Sequence, residues 1–150
     1  MSDNWIALIP EDPNFVPALE KQSRARKRFA EIAPDADEIK IKVSKRIEFF
    51  DCGANFERIL CPSCRAEITM KWWQDRMKED YDNGFKLVAY PTPCCNSYST
   101  LHHLVYEWPQ GFGRFALDAM NPNIGKLEET HRIEFEAILG TKLRVIYQHL

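Results

Sequence analysis

Glycine is scarce in this chain, and long hydrophobic runs are missing. The 150 residues include 6 glycines, and none forms a phosphate-binding loop, because Gly125-Lys126 lacks the earlier glycine and the following serine or threonine. The apolar run from Trp5 to Ile9 stops at Pro10, which makes it too short for a secretory signal or a membrane span. We therefore expect neither a nucleotide-hydrolysing loop nor a membrane protein, and we expect a cytoplasmic location.

An excess of charge of one sign is also missing. The chain has 20 Lys and Arg against 22 Asp and Glu, a formal net charge of -2, so the whole molecule does not attract nucleic acid or anionic lipid. Nucleic-acid binding would need a local basic patch, and the candidates are Arg24, Lys27 and Arg28 on the exposed face of a predicted helix. The neighbouring Glu20 and Glu31 favour a solvated helix face instead. Nucleic-acid binding is therefore the alternative and not the leading interpretation.

Cysteine is present in an informative pattern. Four of the 5 cysteines form two close pairs, Cys61-Pro62-Ser63-Cys64 and Cys94-Cys95. Two such pairs can close a tetrahedral zinc site, because each short loop presents two sulfurs to one point. Adjacent residues of an extended chain point to opposite sides, so the second pair can ligate only if Pro93 and Asn96 bend the backbone. The pattern predicts a structural zinc ion held by Cys61, Cys64, Cys94 and Cys95.

Three other side chains are possible substitutes for one member of the adjacent pair. They are Cys52, His102 and His103. For Cys52 the preferred interpretation is burial as a small hydrophobic residue. The two histidines lie on a predicted strand and point to opposite faces, so they cannot both serve one site. The sequence leaves these substitutions open.

Thiol redox chemistry is the enzymatic alternative. The segment Cys61-x-x-Cys64 leads into a predicted helix, and Thr92-Pro93 resembles the proline loop of thioredoxin-like proteins. This interpretation does not explain why a second cysteine pair directly follows that proline. A zinc ion bound by four thiolates has no open coordination position for catalysis. We therefore favour a protein that is not an enzyme.

The hydrophobic pattern predicts one α+β domain over residues 1–150, with zinc knuckles embedded at about 52–98. We expect a single mixed or antiparallel sheet with helices packed on it and a zinc-ribbon-like site of four cysteines at one end. The predicted strands cover 5–9, 38–49, 85–90, 104–108 and 143–147. The predicted helices cover 15–32, 70–81, 112–120 and 127–139.

Aromatic residues are abundant in two short segments, the stretch 106–115 and the pair Trp72-Trp73. Neighbouring helix positions diverge by about a hundred degrees, so these rings cannot all face one core. An exposed aromatic cluster with an arginine is typical of a protein-binding surface. The sequence therefore predicts Trp72, Phe112 and Arg114 as candidate partner-binding residues.

Five segments of the chain occur in a recognisable combination, namely Phe56-Glu57-Arg58-Ile59-Leu60-Cys61-Pro62-Ser63-Cys64, Trp72-Trp73, Thr92-Pro93-Cys94-Cys95, Trp108-Pro109-Gln110-Gly111-Phe112 and Leu143-Arg144-Val145-Ile146-Tyr147. In these segments, over most of the chain from Asp51 onward, the sequence resembles a group of short, uncharacterised bacterial zinc-ribbon-containing proteins, some of which carry a sugar transporter ATPase label. The resemblance implies a bacterial, zinc-ribbon-like protein and no known catalytic residues. This sequence has no nucleotide-binding loop, which contradicts the ATPase label. Arg65 stands where zinc knuckles usually place glycine.

The leading functional hypothesis is a zinc-stabilised protein-interaction module, for example a small bacterial immunity or adaptor protein that occupies a partner's surface. The aromatic surplus and the lack of a catalytic motif favour it. A nucleic-acid-binding zinc ribbon is the second hypothesis, and a thiol oxidoreductase that uses Cys61 and Cys64 is the third.

Overall fold

The computed structural model describes residues 2–150. These residues form eight strands and three helices, which confirms the predicted α+β class. The strands are β1 (Asn4–Pro10), β2 (Glu38–Phe50), β3 (Ile59–Leu60), β4 (Tyr90–Pro91), β5 (Tyr98–Ser99), β6 (Val105–Tyr106), β7 (Gly111–Met120) and β8 (Leu143–His149). The helices are α1 (Leu19–Ile32), α2 (Met70–Asp82) and α3 (Glu129–Leu139).

The four long strands form one antiparallel sheet in the order β2-β7-β1-β8. Ile6 of β1 lies opposite Ala119 of β7 and opposite Tyr147 of β8, so the sheet brings together segments from both ends of the described chain. The helices α1 and α3 cover one face of this sheet, where Phe29 and Phe135 pack with ring centroids 5.3 Å apart. This buried aromatic pair lies in the larger hydrophobic core of the protein.

The prediction of a short helix over 112–120 is wrong, because this segment is the central strand β7. Phe112, Phe115, Ala116 and Ala119 have the spacing of an amphipathic helix. A strand between two neighbours with both faces covered is apolar almost throughout, and nearly every residue of β7 is buried. Such a strand cannot be distinguished from a short buried helix by periodicity alone.

The strand β2 passes from one hydrophobic core to another. The predicted strand over 38–49 is confirmed, but its register against β7 shifts between Val43 and Glu48. Before this bulge, Ile39 and Ile41 pack against the core beneath α1 and α3, whereas Ile47 and Phe49 pack into a second core. A bulge bends a strand and re-aims its side chains. One uniformly alternating strand in the sequence therefore serves two cores.

The second core belongs to what we call the cysteine lobe, residues 59–106. It contains α2 and two small two-stranded sheets, β3 with β6 and β4 with β5. Its buried core residues are Ile59, Cys61, Ile68, Tyr90, Leu101, Leu104 and Tyr106, joined by Phe112 from β7. The helix α2 begins as predicted, with the hydroxyl of Thr69 accepting a hydrogen bond from the Trp72 amide. None of the helices in residues 2–150 is long and apolar enough to cross a lipid bilayer.

Two strands predicted in this lobe are shorter in the structure. The segment 85–90 is extended only at Tyr90, because the buried carboxylate of Asp80 accepts hydrogen bonds from the amides of Leu87 and Val88. Phe85 and Leu87 also have positive φ angles of 53° and 56°, which a strand does not allow. The strand predicted over 104–108 is reduced to Val105–Tyr106.

A partly buried polar cluster joins the main sheet to the loop before β7. Arg144 of β8 donates two hydrogen bonds to the carboxylate of Glu11, at 2.9 and 2.8 Å, and further bonds to the carbonyls of His102 and Gln110. A Cβ atom on Gly111 would lie 2.6 Å from Nη1 of Arg144 and 3.0 Å from the His102 ring, so a larger residue would have to displace one of these side chains. The cluster fixes the cysteine lobe against the sheet.

Candidate metal centre

The first cysteine loop is a tight turn that follows β3. The amide of Cys61 donates to the Ala66 carbonyl at 2.9 Å, and the amide of Arg65 donates to the Cys61 carbonyl at 3.0 Å. Arg65 has a φ angle of 67°, in the left-handed region where glycine is favoured. The arginine at a position that knuckles usually give to glycine therefore adopts the glycine conformation.

The second cysteine loop joins β4 to β5 and has the same hydrogen bonds. The amide of Thr92 donates to the Ser97 carbonyl at 2.9 Å, and the amide of Asn96 donates to the Thr92 carbonyl at 3.0 Å. Asn96 has a φ angle of 60°, which asparagine tolerates better than most residues. The expected bend at Asn96 is present. It allows the adjacent sulfurs of Cys94 and Cys95 to face the same point.

The two loops face each other and bring four sulfur atoms together. The ligand atoms of Cys61, Cys64, Cys94 and Cys95 all lie within 4.8 Å of one another. The Sγ atoms of Cys61 and Cys95 are 3.8 Å apart, and those of Cys64 and Cys94 are 3.3 Å apart. A tetrahedron with metal–sulfur bonds of about 2.3 Å has sulfur–sulfur edges of about 3.8 Å. This group could therefore hold a metal ion with small adjustments.

Hydrogen bonds favour the thiolate form at part of this group. The amides of Cys64 and Ser63 help to lower the pKa of Cys61. The Ser97 hydroxyl, the Thr92 hydroxyl and the Ser97 amide lower the pKa of Cys95 to about 5. At Cys64 the Ala66 amide acts in the same direction, but the neighbouring sulfurs and burial raise its pKa to about 11.

Four sulfurs this close cannot all ionise without a compensating positive charge. A bound cation would supply that charge and displace the remaining protons, because metals bind the thiolate form. The group is thus suited to a cation that prefers sulfur.

The three possible substitute ligands lie elsewhere. Cys52 is fully buried among apolar side chains, its Sγ lies 3.4 Å from Oε1 of Gln110, and burial raises its pKa to about 11. The ring of His102 is buried, with Nε2 2.7 Å from the Glu11 carbonyl and Nδ1 accepting the Phe112 amide. The Nδ1 atom of His103 contacts the Thr100 hydroxyl. None of the three joins the group of four sulfurs.

The candidate partner-binding residues differ in their accessibility. Phe112 is 0% exposed and packs against Phe49, Phe85 and the His102 ring. The prediction that it is an exposed anchor is therefore wrong. Trp72 is half-buried at the edge of the second core, with the Arg76 guanidinium 5.9 Å from its ring centre. Arg114 is also half-buried, and its Nε donates to the Ser44 carbonyl at 3.0 Å.

The basic candidates of α1 differ in their surroundings. Arg24 and Lys27 are exposed, but Arg28 is bound to Glu134 of α3 at 2.6 Å and lies 3.5 Å from Glu31. The basic residues Lys40 and Lys42 alternate with Ile39 and Ile41, which face α1, so they lie on the other side of the sheet. Helix and strand therefore do not present their cations side by side.

A basic cleft, which sequence reasoning missed, lies between the bulge of β2 and the loop after α2. Its open volume is about 990 Å³, and a smaller hollow continues it towards Arg114. Four cations line the two hollows, and none forms a salt bridge within residues 2–150: Lys45, Arg46, Lys86 and Arg114. Tyr81, 65% exposed, and the half-buried Phe85 add aromatic surface, while Glu48 and Asp82 line it as acids. The cations come from three separate segments, so no sequence-local signal marks them.

Comparison of the chain with known proteins gives no matching protein-family model, no matching curated protein and no matching solved structure. The functional conclusion therefore depends on the residues of the metal group and of the basic cleft.

Proposed function

We propose that this chain is a non-enzymatic protein-interaction module stabilised by one zinc ion. The observation that carries the proposal is the convergence of four cysteine sulfurs on two facing loops. Zinc is the metal that four thiolates most often bind in a tetrahedral arrangement. Such a centre has no open coordination position, so its contribution is to folding and not to catalysis. The bacterial cytoplasm, where thiols remain reduced, fits five cysteines that are all free.

The basic cleft is the surface that we propose for a protein partner. Arginine and tyrosine dominate the binding energy of many protein interfaces, and Arg46, Arg114 and Tyr81 meet here. The unpaired cations favour an acidic segment on the partner, because complementary charge speeds association and selects partners. A small immunity or adaptor protein that covers an acidic site on another protein would have this chemistry.

The zinc part of the proposal is tested by metal analysis of the purified chain. We expect about one zinc per chain by native mass spectrometry, because a complete four-thiolate set binds zinc tightly. Cys61→Ser should lose the ion, whereas Cys52→Ser should keep it, since Cys52 lies outside the group. Metal-free wild-type protein with five freely titrating thiols, or equal metal loss in both variants, would contradict a zinc centre at these loops.

The partner part is tested by affinity capture from a nuclease-treated bacterial lysate, with the captured protein identified by mass spectrometry. The same protein is then purified and its binding measured with matched variants. Arg46→Glu reverses a charge in the cleft, and Arg24→Glu reverses a charge on α1 that is also exposed. We expect binding to fall at least tenfold in the first variant and to stay unchanged in the second. Equal effects of the two variants would refute the cleft as the binding surface.

Nucleic-acid binding remains the second candidate function because the cleft cations would also suit phosphate groups. Binding to a phosphate backbone weakens steeply with salt, as each neutralised phosphate releases counterions. We expect no shift of DNA or RNA by the wild-type protein at physiological salt. Micromolar binding that disappears in Arg46→Glu would place nucleic acid above a protein partner.

A further inference from the structure

We propose that Thr92 occupies the ligand position of the second cysteine loop and that Cys94 supplies the fourth metal ligand from a neighbouring position. This inference rests on the proposed metal centre and concerns how that centre is built. Cys94 is then a relocated ligand, and the two loops are versions of the same turn in which one ligand has moved from the first residue to the third.

The backbone of the two loops sets the correspondence residue by residue. In each loop the amide of the first residue donates to the carbonyl of the sixth residue, at 2.9 Å in both loops. The carbonyl of the first residue accepts a hydrogen bond from the amide of the fifth residue, at 3.0 Å in both loops. The fifth residue has a positive φ angle in both loops, and the second is proline. The matched pairs are Cys61 with Thr92, Pro62 with Pro93, Ser63 with Cys94, Cys64 with Cys95, Arg65 with Asn96 and Ala66 with Ser97.

The side chain of Thr92 lies where this correspondence requires a ligand. It is 0% exposed, and its Oγ1 is 3.7 Å from Sγ of Cys61 and 3.5 Å from Sγ of Cys95. These distances match the edges of about 3.8 Å that a four-thiolate zinc site would have. A cysteine at position 92 could place its sulfur close to this hydroxyl, because both atoms are bonded to Cβ. The hydroxyl instead contacts two of the sulfurs and helps to lower the pKa of their thiols.

Cys94 occupies a position whose counterpart in the first loop is not a ligand. Its counterpart in the first loop is Ser63, which takes no part in the sulfur group and whose Oγ lies 3.1 Å from Oγ of Ser97. Cys94 is exposed, and its Sγ contacts Cys64 at 3.3 Å, shorter than the other sulfur–sulfur contact of 3.8 Å. Cys94 is therefore exposed, as Cys64 and Cys95 are, whereas the Thr92 hydroxyl is buried beside Cys61.

Transfer of the cysteine ligand from position 94 to position 92 tests this arrangement. Three variants are compared with the wild type, namely Cys94→Ala, Thr92→Cys with Cys94→Ala, and Thr92→Ala with Cys94→Ala as the control. Zinc affinity is measured by chelator competition, and the number of bound thiolates by the cobalt–sulfur charge-transfer absorbance of the Co²⁺ form. We expect Cys94→Ala to weaken zinc binding about 100-fold, as the loss of one of four ligands implies.

The Thr92→Cys, Cys94→Ala variant should restore zinc affinity to within about tenfold of the wild type, since only the surroundings of the ligand differ. Its Co²⁺ spectrum should regain the intensity of four thiolates, and the alanine control should not. If Cys94→Ala is insoluble, the readout is whether the Thr92→Cys, Cys94→Ala variant is soluble and binds one Co²⁺ per chain. That result would also show that a cysteine at position 92 replaces Cys94 as a ligand. A restored variant no better than the alanine control overturns the inference while the metal centre stands. A wild type that binds no metal overturns the proposed centre itself.

Discussion

At the scale of single residues, His102 shows how a buried histidine can be structural. Its Nε2 lies 2.7 Å from a carbonyl, which can only accept, so Nε2 carries the proton and Nδ1 is free to accept the Phe112 amide. The neutral ring therefore has both nitrogens occupied. Burial and the charge of Arg144 lower the pKa of His102 to about 4.

This pKa predicts a loss of stability in mild acid. The unfolded chain binds a proton at His102 near pH 6.5, whereas the folded chain binds it only near pH 4. The free energy of unfolding should therefore decrease as the pH falls from about 6.5 to about 4, by about 3 kcal/mol from this residue. Urea unfolding measured across this range checks the slope. His102→Gln should be less stable at pH 7 but depend less on pH, and equal slopes in the two proteins would contradict the assignment.

Arg65 offers a second prediction at the residue scale. Its φ angle of 67° is costly for a residue with a Cβ atom and free for glycine. Arg65→Gly should therefore raise the free energy of unfolding of the zinc-loaded protein by about 1 kcal/mol. Arg65→Ala is the matched control, because it removes the same side chain and keeps the Cβ atom. If both variants are stabilised equally, the cause is the charge of the arginine and not its backbone conformation.

At the scale of elements, the buried carboxylate of Asp80 organises the loop after α2. It accepts the amides of Leu87 and Val88, while the Asp80 carbonyl accepts the amide of Phe85 at 2.8 Å. Asp80→Ala removes the carboxylate to which the amides of Leu87 and Val88 donate. The variant should lose about 3 kcal/mol of the free energy of unfolding, because these amides are left without a partner. Asp82→Ala, two residues later and exposed, should change stability by less than about 0.5 kcal/mol. Urea unfolding of the two variants checks the contrast, and a small effect at Asp80 would contradict this role.

The elements also show how far the sequence determines the fold. The strands β2 and β8 and the helices α2 and α3 follow from their periodicity and from the residues that end them, and β1 follows from a compact apolar run closed by Pro10. The strand β7 does not, since coverage on both faces removes the alternation that identifies a strand. The prediction of a strand over 85–90 is wrong for a different reason, because the amides of Leu87 and Val88 donate to the nearby carboxylate of Asp80 and not to a neighbouring strand.

The candidate site was predictable in its composition but not in its arrangement. The cysteine spacing predicts the four converging sulfurs, and the bend at Asn96 was expected as a requirement for them. The equivalence of Thr92 with Cys61 depends on backbone hydrogen bonds that no spacing rule contains. The cations of the basic cleft are brought together by the bulge of β2, which the regular alternation of that strand conceals.

At the scale of the whole molecule, the two larger hydrophobic cores share the strands β2 and β7. The larger core lies between the main sheet and the helices α1 and α3, and it contains no cysteine. The second core includes Cys61 and is closed by residues of β2 and β7. Its small sheets have only two residues per strand, so they contribute few hydrogen bonds of their own. The cysteine lobe should therefore depend on the metal ion far more than the main sheet does.

Removal of the metal tests this difference in native-state hydrogen exchange. After chelation under reducing conditions, exchange of the loop amides of Cys61, Arg65 and Thr92 should speed up by about 100-fold, because a tightly bound ion no longer stabilises their closed state. Exchange of Leu8 and Leu117, paired between β1 and β7, should change little. Equal acceleration at all five amides would mean that lobe and sheet unfold as one unit. No acceleration at the loops would mean that the turns are stable without the ion, and the metal would then need a role other than folding.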